Sequence, residues 1–474
     1  MSDRRTKIVA TLGPASDEAD TIGTLIAAGT DVFRLNFAHA DPERHARTAR
    51  LVREVAEDKG RIVGLLTDLP GPKIRSGPVR GDEVILATDA RFVLTAKDVE
   101  GDETRASTTV GDLAAMVSKG DEIFLADGEI VLVVENVSEG EVVTTVIRGG
   151  VLRSRKGMHL PRSEHRLQAF TQKDREALDL ALKLKVDLVG LSFVRNAGDV
   201  ERARASLPKR GHKPLLVAKI ETRSAVEELP FIVGAADAVM IARGDLGIQT
   251  PLTRVPLLQK EIISICNRTG KPVITATQML ESMTHAPLPT RAEVADVANA
   301  VVDGTDALML SEETAIGDHP ALVVETMART ASVAETWPRG SSLLAQGDLD
   351  DDKVSWAVAH AAVEAAEDLG VAAILCPTNS GSTPRRVASF RPSMPIVGMS
   401  QRTEILGGLA LLWGVLPLEV APMPEAREAG EEVERAVVAA RSAGVVSAGD
   451  LVAVVAGAPG PRAGRTDFVR VVRV

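Results

Sequence analysis

The chain has 474 residues, and 55 Lys and Arg against 65 Asp and Glu leave it at a formal net charge of −10. That balance speaks against nucleic acid as a partner, which calls for a basic footprint, while leaving room for a locally basic pocket that takes small anions. With nine Phe, three Trp and no Tyr, aromatic stacking is not expected as the main binding device. The cores must be filled by Ala, Val, Leu and Ile. Two cysteines, Cys266 and Cys376, supply neither a disulfide framework nor a cysteine metal cluster. The first residues lack the apolar run of a signal peptide, and no stretch reaches the length of a membrane span. The expectation is a soluble cytoplasmic protein with no membrane partner.

Taken in chain order, three apolar runs of strand length open the sequence: Lys7–Thr11, Asp31–Asn36 and Arg61–Thr67. From about Gly77 to Gly157 the character changes. Strand follows strand (83–86, 91–95, 121–125, 129–134, 141–147), punctuated by Asp127-Gly128, Glu139-Gly140 and Gly149-Gly150. The first pattern then resumes with Asp187–Ser192, Leu215–Lys219, Ala238–Ala242, Pro272–Ala276 and Asp306–Leu310. Near-continuous apolar runs suit parallel strands buried on both faces. Most are separated by amphipathic segments, one of them opening on the capping-box pattern Thr171-Gln-Lys-Asp174. Eight β/α units predict a (β/α)8 TIM barrel. The all-β stretch reads as a small domain inserted into a βα loop at the barrel's catalytic end, in position to act as a lid. A polar stretch, 347–353, precedes an Ala-rich helix over about 354–368 and strands at 372–376, 395–398, 451–455 and 468–472. These make a C-terminal α/β domain. The expected divisions are 1–75 with 159–343 for the barrel, 76–158 for the insert and 344–474 for the last domain.

A barrel carries its active site at the C-terminal ends of its strands. The residues there are Gly13-Pro14, Arg34 and Asn36, Asp68, Ser192, Lys219 and Glu221, Arg243-Gly244-Asp245, Thr277 and Ser311. Glu221 and Asp245 close successive strands, so both can serve one hard cation such as Mg²⁺. Lys219 lies two residues before Glu221 and, in extended chain, faces the same side. Lys, Arg and a divalent cation together meet the charge of a transferring phosphoryl group. Gly244 allows a backbone amide close to an anion. Arg34, Lys73, Arg75, Lys156, Lys219 and Arg243 are expected to gather on this face.

Four stretches carry a resemblance to the pyruvate kinase family over essentially the whole chain: Lys7–Ser16, Arg34–His39, Ala242–Gly247 and Lys271–Ser282. The resemblance implies phosphoryl transfer from phosphoenolpyruvate to ADP, giving pyruvate and ATP in glycolysis. It implies Mg²⁺, or Mn²⁺ in its place, on Glu221 and Asp245. Lys219 would stabilise the phosphoryl group in flight, and Arg34 and Arg75 would hold its oxygens. The Gly244 and Asp245 amides and the Thr277 hydroxyl would take the substrate carboxylate. Thr277 would also relay a proton to the enolate, with Ser311 in a secondary role. The nucleotide would meet Thr11, Pro14, Asn36, His39 and Arg75, with Lys156 reaching from the insert. A homotetramer is implied as well.

Many members of this family also need K⁺, held by Asn, Ser, Asp and Thr where this sequence has Asn36, Ala38, Asp68 and Leu69. Two hydroxyls are thus gone, and Lys73 stands where K⁺-dependent members commonly have Glu. A Lys ammonium there would supply the missing cation, so K⁺ is not expected to be required. Glu312 replaces a Gly usual in the family. In the last domain, Thr378-Asn379-Ser380-Gly381-Ser382-Thr383 between a strand and a helix start is a candidate phosphate cradle. By resemblance it binds a phosphorylated allosteric effector, with the segment 457–467 closing over it. The rivals are a lyase or carboxylase on a similar barrel, disfavoured by the inserted and C-terminal domains, and a non-catalytic sensor, disfavoured by the presence of Lys219, Glu221 and Asp245.

Overall fold

The structure, a computed structural model, describes residues 4–38, 41–138, 140–161, 170–337, 353–421, 428–457 and 465–474. Eight parallel strands close into a barrel in sequential order: β1 (Lys7–Leu12), β2 (Val32–Asn36), β3 (Gly64–Asp68), β4 (Leu188–Leu191), β5 (Leu215–Ile220), β6 (Ala238–Ala242), β7 (Val273–Ala276) and β8 (Ala307–Leu310). Alternation decides which side chain goes where. Val9, Val32, Leu66, Leu188, Val217, Met240, Ile274 and Met309 fill the interior, while Ile8, Phe33, Leu65, Val189 and Leu216 face the surrounding helices. The helices start and stop on local signals. Thr171 and Asp174 form a complete capping box, as do Thr290 and Glu293. Gly29, Gly270 and Gly304 end helices in the left-handed conformation that favours glycine.

Five of the apolar runs begin one or more residues ahead of the strands themselves, and an aspartate explains three of them. Asp31, just before β2, accepts the Ile8 amide of β1 at 2.9 Å. Asp187, before β4, accepts Leu65 of β3 at 2.7 Å, and Asp306, before β8, accepts Val273 of β7 at 2.9 Å. Asp237 does the same ahead of β6 for Leu216 of β5 at 2.9 Å. Each even strand is thus preceded by a carboxylate that satisfies an amide at the start of the odd strand before it.

Between β3 and β4 the chain leaves through Ile74–Arg75 and returns through Gly157–His159, which pair antiparallel. They form one edge of a seven-stranded sheet that continues through Glu122–Leu125, Ile130–Ser138, Glu141–Arg148, Arg91–Thr95 and Arg105–Ser107. This domain has its own core around Phe92, Leu94, Ile123, Leu132 and Val142.

The C-terminal sheet has five strands, β9 (Ala373–Pro377), β10 (Ile396–Ser400), β11 (Val415–Glu419), β12 (Leu451–Ala456) and β13 (Phe468–Arg473), ordered β11-β10-β9-β12-β13. The sequence pattern misses β11. Pro417 interrupts it, which an edge strand tolerates because one side has no ladder to feed. Ala410 and Leu411, in the segment leading to β11, join the barrel's interior cluster. The Lys7 ammonium also reaches the Val415 carbonyl at 2.8 Å. The C-terminal domain therefore closes the barrel at the strand N-termini and leaves the opposite face open. No helix among the described residues is long and apolar enough to cross a membrane. Cys266 and Cys376 are both buried and free. The linker read at 347–353 lies outside the described residues except for Lys353.

Candidate active site

The strand ends bring four charged side chains and one hydroxyl into one buried network. Arg34, on β2, reaches Asp68 Oδ2 at the end of β3 through Nε at 3.0 Å and Nη2 at 2.8 Å. The Lys219 ammonium sits 3.2 Å from the same oxygen and 2.7 Å from Glu221 Oε1. It also donates to Ser192 Oγ at 2.9 Å, and that hydroxyl donates onward to the Leu69 carbonyl at 2.8 Å. Glu221 Oε2 accepts the Phe193 amide at 2.7 Å. Ser192 closes β4 but was given no role from the sequence, because a lone strand-end hydroxyl carries no signal until its partner is known.

Burial alone would drive Lys219 neutral, but the carboxylates of Asp68 and Glu221 more than reverse this and hold its pKa above the usual lysine value. Burial likewise opposes the charge on Asp68, and Arg34 and Lys219 overcome it, leaving that carboxyl below its usual range. Glu221 is the opposite case. Burial raises it, Lys219 only partly compensates, and the charge of Asp245 pushes it up further. A buried carboxylate whose ionisation is disfavoured by a half-exposed carboxylate beside it is the donor set a hard divalent cation relieves. Glu221 and Asp245 therefore fit the metal expected from the sequence. Among the described residues no group of three His, Cys, Asp or Glu side chains forms a metal cluster, so the remaining oxygens would come from substrate and water.

Across the barrel mouth, Thr277 follows β7 with φ +69° and Gln278 with φ +53°. The Thr277 hydroxyl accepts the Gly244 amide at 2.8 Å and donates to the Ala276 carbonyl at 2.6 Å. Gly244 and Thr277 are thus brought together, with Asp245 the next residue along the chain. Arg243 is a correction. It does not join the cationic face: its guanidinium turns to the Thr277 carbonyl at 2.7 Å, the Gln278 carbonyl at 3.1 Å and Asp296 at 2.7 Å. The first turn of the helix Arg243–Gln249 starts at this residue, so its side chain turns toward Asp296 and the Thr277 loop while the next amide, that of Gly244, meets the Thr277 hydroxyl. Ser311 is half-buried, its amide held by Glu313 at 2.6 Å. Glu312 is exposed at the head of the short helix Glu312–Ala315, where a carboxylate is favoured.

Of the residues expected at the nucleotide, Pro14 is exposed and Asn36 half-buried. Thr11 is buried, accepting Arg34 Nη1 at 3.1 Å and donating to the Leu310 carbonyl at 2.7 Å. Arg75 is half-buried and reaches the Arg155 carbonyl at 3.1 Å, and Lys156 is half-buried beside it. His39 lies outside the described residues. Leu69 is buried, Ala38 and Lys73 are exposed, and Lys73 lines a cleft with Met158, His159 and Phe193 where the inserted domain meets the barrel.

In the C-terminal loop the Thr378 hydroxyl accepts the Gly381 amide at 2.9 Å, and the Ser380 and Ser382 hydroxyls lie 3.0 Å apart. Gly381, at φ +81°, turns the chain into the helix Ser382–Ser389. Asn379 offers its carbonyl to Arg402 at 3.1 Å. Thr383 is turned inward, its buried hydroxyl 2.8 Å from that of Thr466.

A family model described as "Pyruvate kinase, barrel domain" matches residues 3–324, and one described as "Pyruvate kinase, alpha/beta domain" matches residues 356–472. The chain belongs to the pyruvate kinase family. It is a phosphotransferase acting on phosphoenolpyruvate and ADP. A pyruvate kinase from Thermococcus litoralis is 44% identical over 422 residues, covering 88% of this chain and 89% of the relative. One from Geobacillus stearothermophilus is 42% identical over 99% of this chain and 80% of the relative. The crystal structure of a pyruvate kinase from Cryptosporidium parvum superposes with a TM-score of 0.89 at 32% identity, covering 99% of this chain and 96% of that one.

Proposed function

We propose that this pyruvate kinase works with Mg²⁺ on Glu221 and Asp245, without a requirement for K⁺, and under control of a phosphorylated effector. The observation that carries the site assignment is the Lys219 ammonium, held 2.7 Å from Glu221 and 3.2 Å from Asp68 at the open end of the barrel. Its raised pKa keeps it charged at neutral pH. In this reading the phosphoryl group leaves the enol oxygen of phosphoenolpyruvate and bonds to a terminal phosphate oxygen of ADP. Lys219 and Arg34 offset the charge on its oxygens during transfer, and Arg75 assists from the edge of the inserted domain. A bound divalent cation supplies Lewis-acid charge stabilisation at the carboxylate pair. The Gly244 and Asp245 amides and Thr277 hold the substrate carboxylate. The enolate left behind takes a proton at carbon, relayed by Thr277 through water, with Ser311 supporting. ADP is taken by Thr11, Pro14, Asn36, His39 and Arg75, with Lys156 reaching across from the inserted domain as a lid.

K⁺ independence is supported by the absence of side-chain hydroxyls at Ala38 and Leu69 and by the cation at Lys73, with Asp68 already met by Arg34 and Lys219. The effector's phosphate is assigned to the loop Thr378–Thr383. A cytoplasmic homotetramer, divided into domains near residues 75, 158 and 343, completes the reading. The test is to incubate the protein with phosphoenolpyruvate, ADP and Mg²⁺ and to follow pyruvate and ATP together. Stoichiometric appearance of both is expected. Pyruvate without ATP would mean a phosphatase or lyase, and neither product would mean a sensor.

A further inference from the structure

A second basic site lies at the opposite end of the barrel, where it meets the C-terminal domain. A narrow cleft there is bordered on the barrel side by Asn267, Lys271 and Asp306 and on the other by Arg385, Ser389 and Arg391. Its charges are unevenly matched. Asp306 is taken by Arg391 at 2.8 Å, and Asp237, just outside the cleft, by Arg204 at 3.0 Å. Among the described residues the Lys271 ammonium has the Ala236 and Gly234 carbonyls, at 2.5 and 3.4 Å. Arg385 has no ion pair among the described residues, and its Nε is buried without a hydrogen-bond partner. Burial, then the Arg385 guanidinium, pulls Lys271 down to about 8, and burial, then Arg386, lowers Arg385 as well. Two cations from different domains therefore face one cleft, and the carboxylate nearest both, Asp237, attracts them but is already paired with Arg204. A buried guanidinium nitrogen left bare, as Arg385 Nε is, is costly unless an acceptor completes it.

We propose that this cleft binds one compact phosphate-type oxyanion between Lys271 and Arg385. Guanidinium and ammonium together suit a tetrahedral dianion, the first by its forked donors and the second as a point charge. The site is distinct from the loop Thr378–Thr383, although both border the helix Ser382–Ser389: the loop forms the N-terminal end, and Arg385 and Ser389 lie one and two turns along it. Occupancy ties the barrel to the C-terminal domain. It also bears on the active site, because Lys271 lies two residues before β7, whose far end leads into Thr277.

Inorganic phosphate is the probe, titrated into the full chain at constant ionic strength by calorimetry and thermal shift. Wild type and Ser382→Asp are expected to bind phosphate with the same affinity at this site. Arg385→Gln and Lys271→Gln should weaken it by about tenfold or more, the range for losing a charged hydrogen bond. In wild type, phosphate should also slow labelling of Lys271 by a small amine-directed reagent, read by peptide mass spectrometry, which needs no variant to fold. Unchanged affinity in Arg385→Gln, loss of binding in Ser382→Asp alone, or labelling of Lys271 that phosphate does not slow would each overturn the proposal.

Discussion

The Arg243 guanidinium holds the Thr277 carbonyl at 2.7 Å. Thr277 and Gln278 both have positive φ, a conformation that costs a non-glycine residue on the order of 1–3 kcal/mol. Arg243 offsets that strain by taking both carbonyls, and is itself anchored by Asp296 at 2.7 Å and Gln259 at 3.2 Å. The side chain expected from sequence to join the cations at the barrel mouth is therefore the clamp that aims the Thr277 hydroxyl. Arg243→Gln and Asp296→Asn should lower kcat, by roughly tenfold to a hundredfold if 1.4–2.8 kcal/mol of positioning is lost, with a smaller change in KM for phosphoenolpyruvate. Steady-state kinetics check this, and wild-type kcat in both variants would mean the loop holds itself.

K⁺ should have little effect on rate. Titrated against a large inert cation at constant ionic strength, it is expected to leave kcat within about twofold, since Arg34 and Lys219 already neutralise Asp68. Strong activation by K⁺ would refute the reading.

A phosphorylated effector should shift the phosphoenolpyruvate saturation curve to lower concentration, and Ser382→Asp should abolish that shift. A carboxylate beside the Ser380 hydroxyl, 3.0 Å away in the wild type, repels an incoming phosphate. The comparison is the substrate concentration at half-saturation with and without effector, in both proteins. A response retained in the variant would move the effector elsewhere.

Gly407→Ala should destabilise the protein, although alanine is favoured over glycine in a helix by about 1 kcal/mol. Gly407 lies in the helix Thr403–Leu409 against the barrel floor, and a Cβ there would meet the Asp187 carboxyl carbon at 2.1 Å. Asp187 has no room to yield, because it holds Arg53 and the Leu65 amide, each at 2.7 Å. Overpacking of this kind costs about 1–3 kcal/mol, so the urea midpoint should fall. A rise would show that the floor relaxes freely.

Acid should loosen the barrel in part through Asp31. Burial opposes its charge, but Arg4 and Lys7 prevail and hold its pKa below the usual value. The unfolded chain then binds the proton more readily than the folded one. The stabilisation is present above about pH 3.9, the ordinary aspartate value, and is lost as pH falls through the folded value. Asp31→Asn should lower stability at neutral pH and flatten its decline below pH 4, measured as the urea midpoint against pH. A decline as steep as that of wild type would assign it to other carboxylates.

The sequence by itself determined the barrel and the position of its working face. Eight buried runs are a local signal, since a parallel strand covered on both faces must be apolar at nearly every position, and the residue after each run then belongs to the mouth. Lys219 and Glu221 were legible as a pair because a period of two puts them on one side. Their partners were not. Asp68, Ser192 and Arg34 reach Lys219 or each other only once the barrel closes and β2, β3, β4 and β5 lie side by side. The direction of Arg243 depended on a helix starting at that residue and on Asp296 arriving from a different helix. Ala410 and Leu411 show the same limit: their hydrophobicity was visible, but only tertiary packing decided that they close the barrel. Periodicity carries information about a residue's own neighbours along the chain, whereas the charge on Lys219 and the aim of Thr277 are set by groups that folding brings from far away.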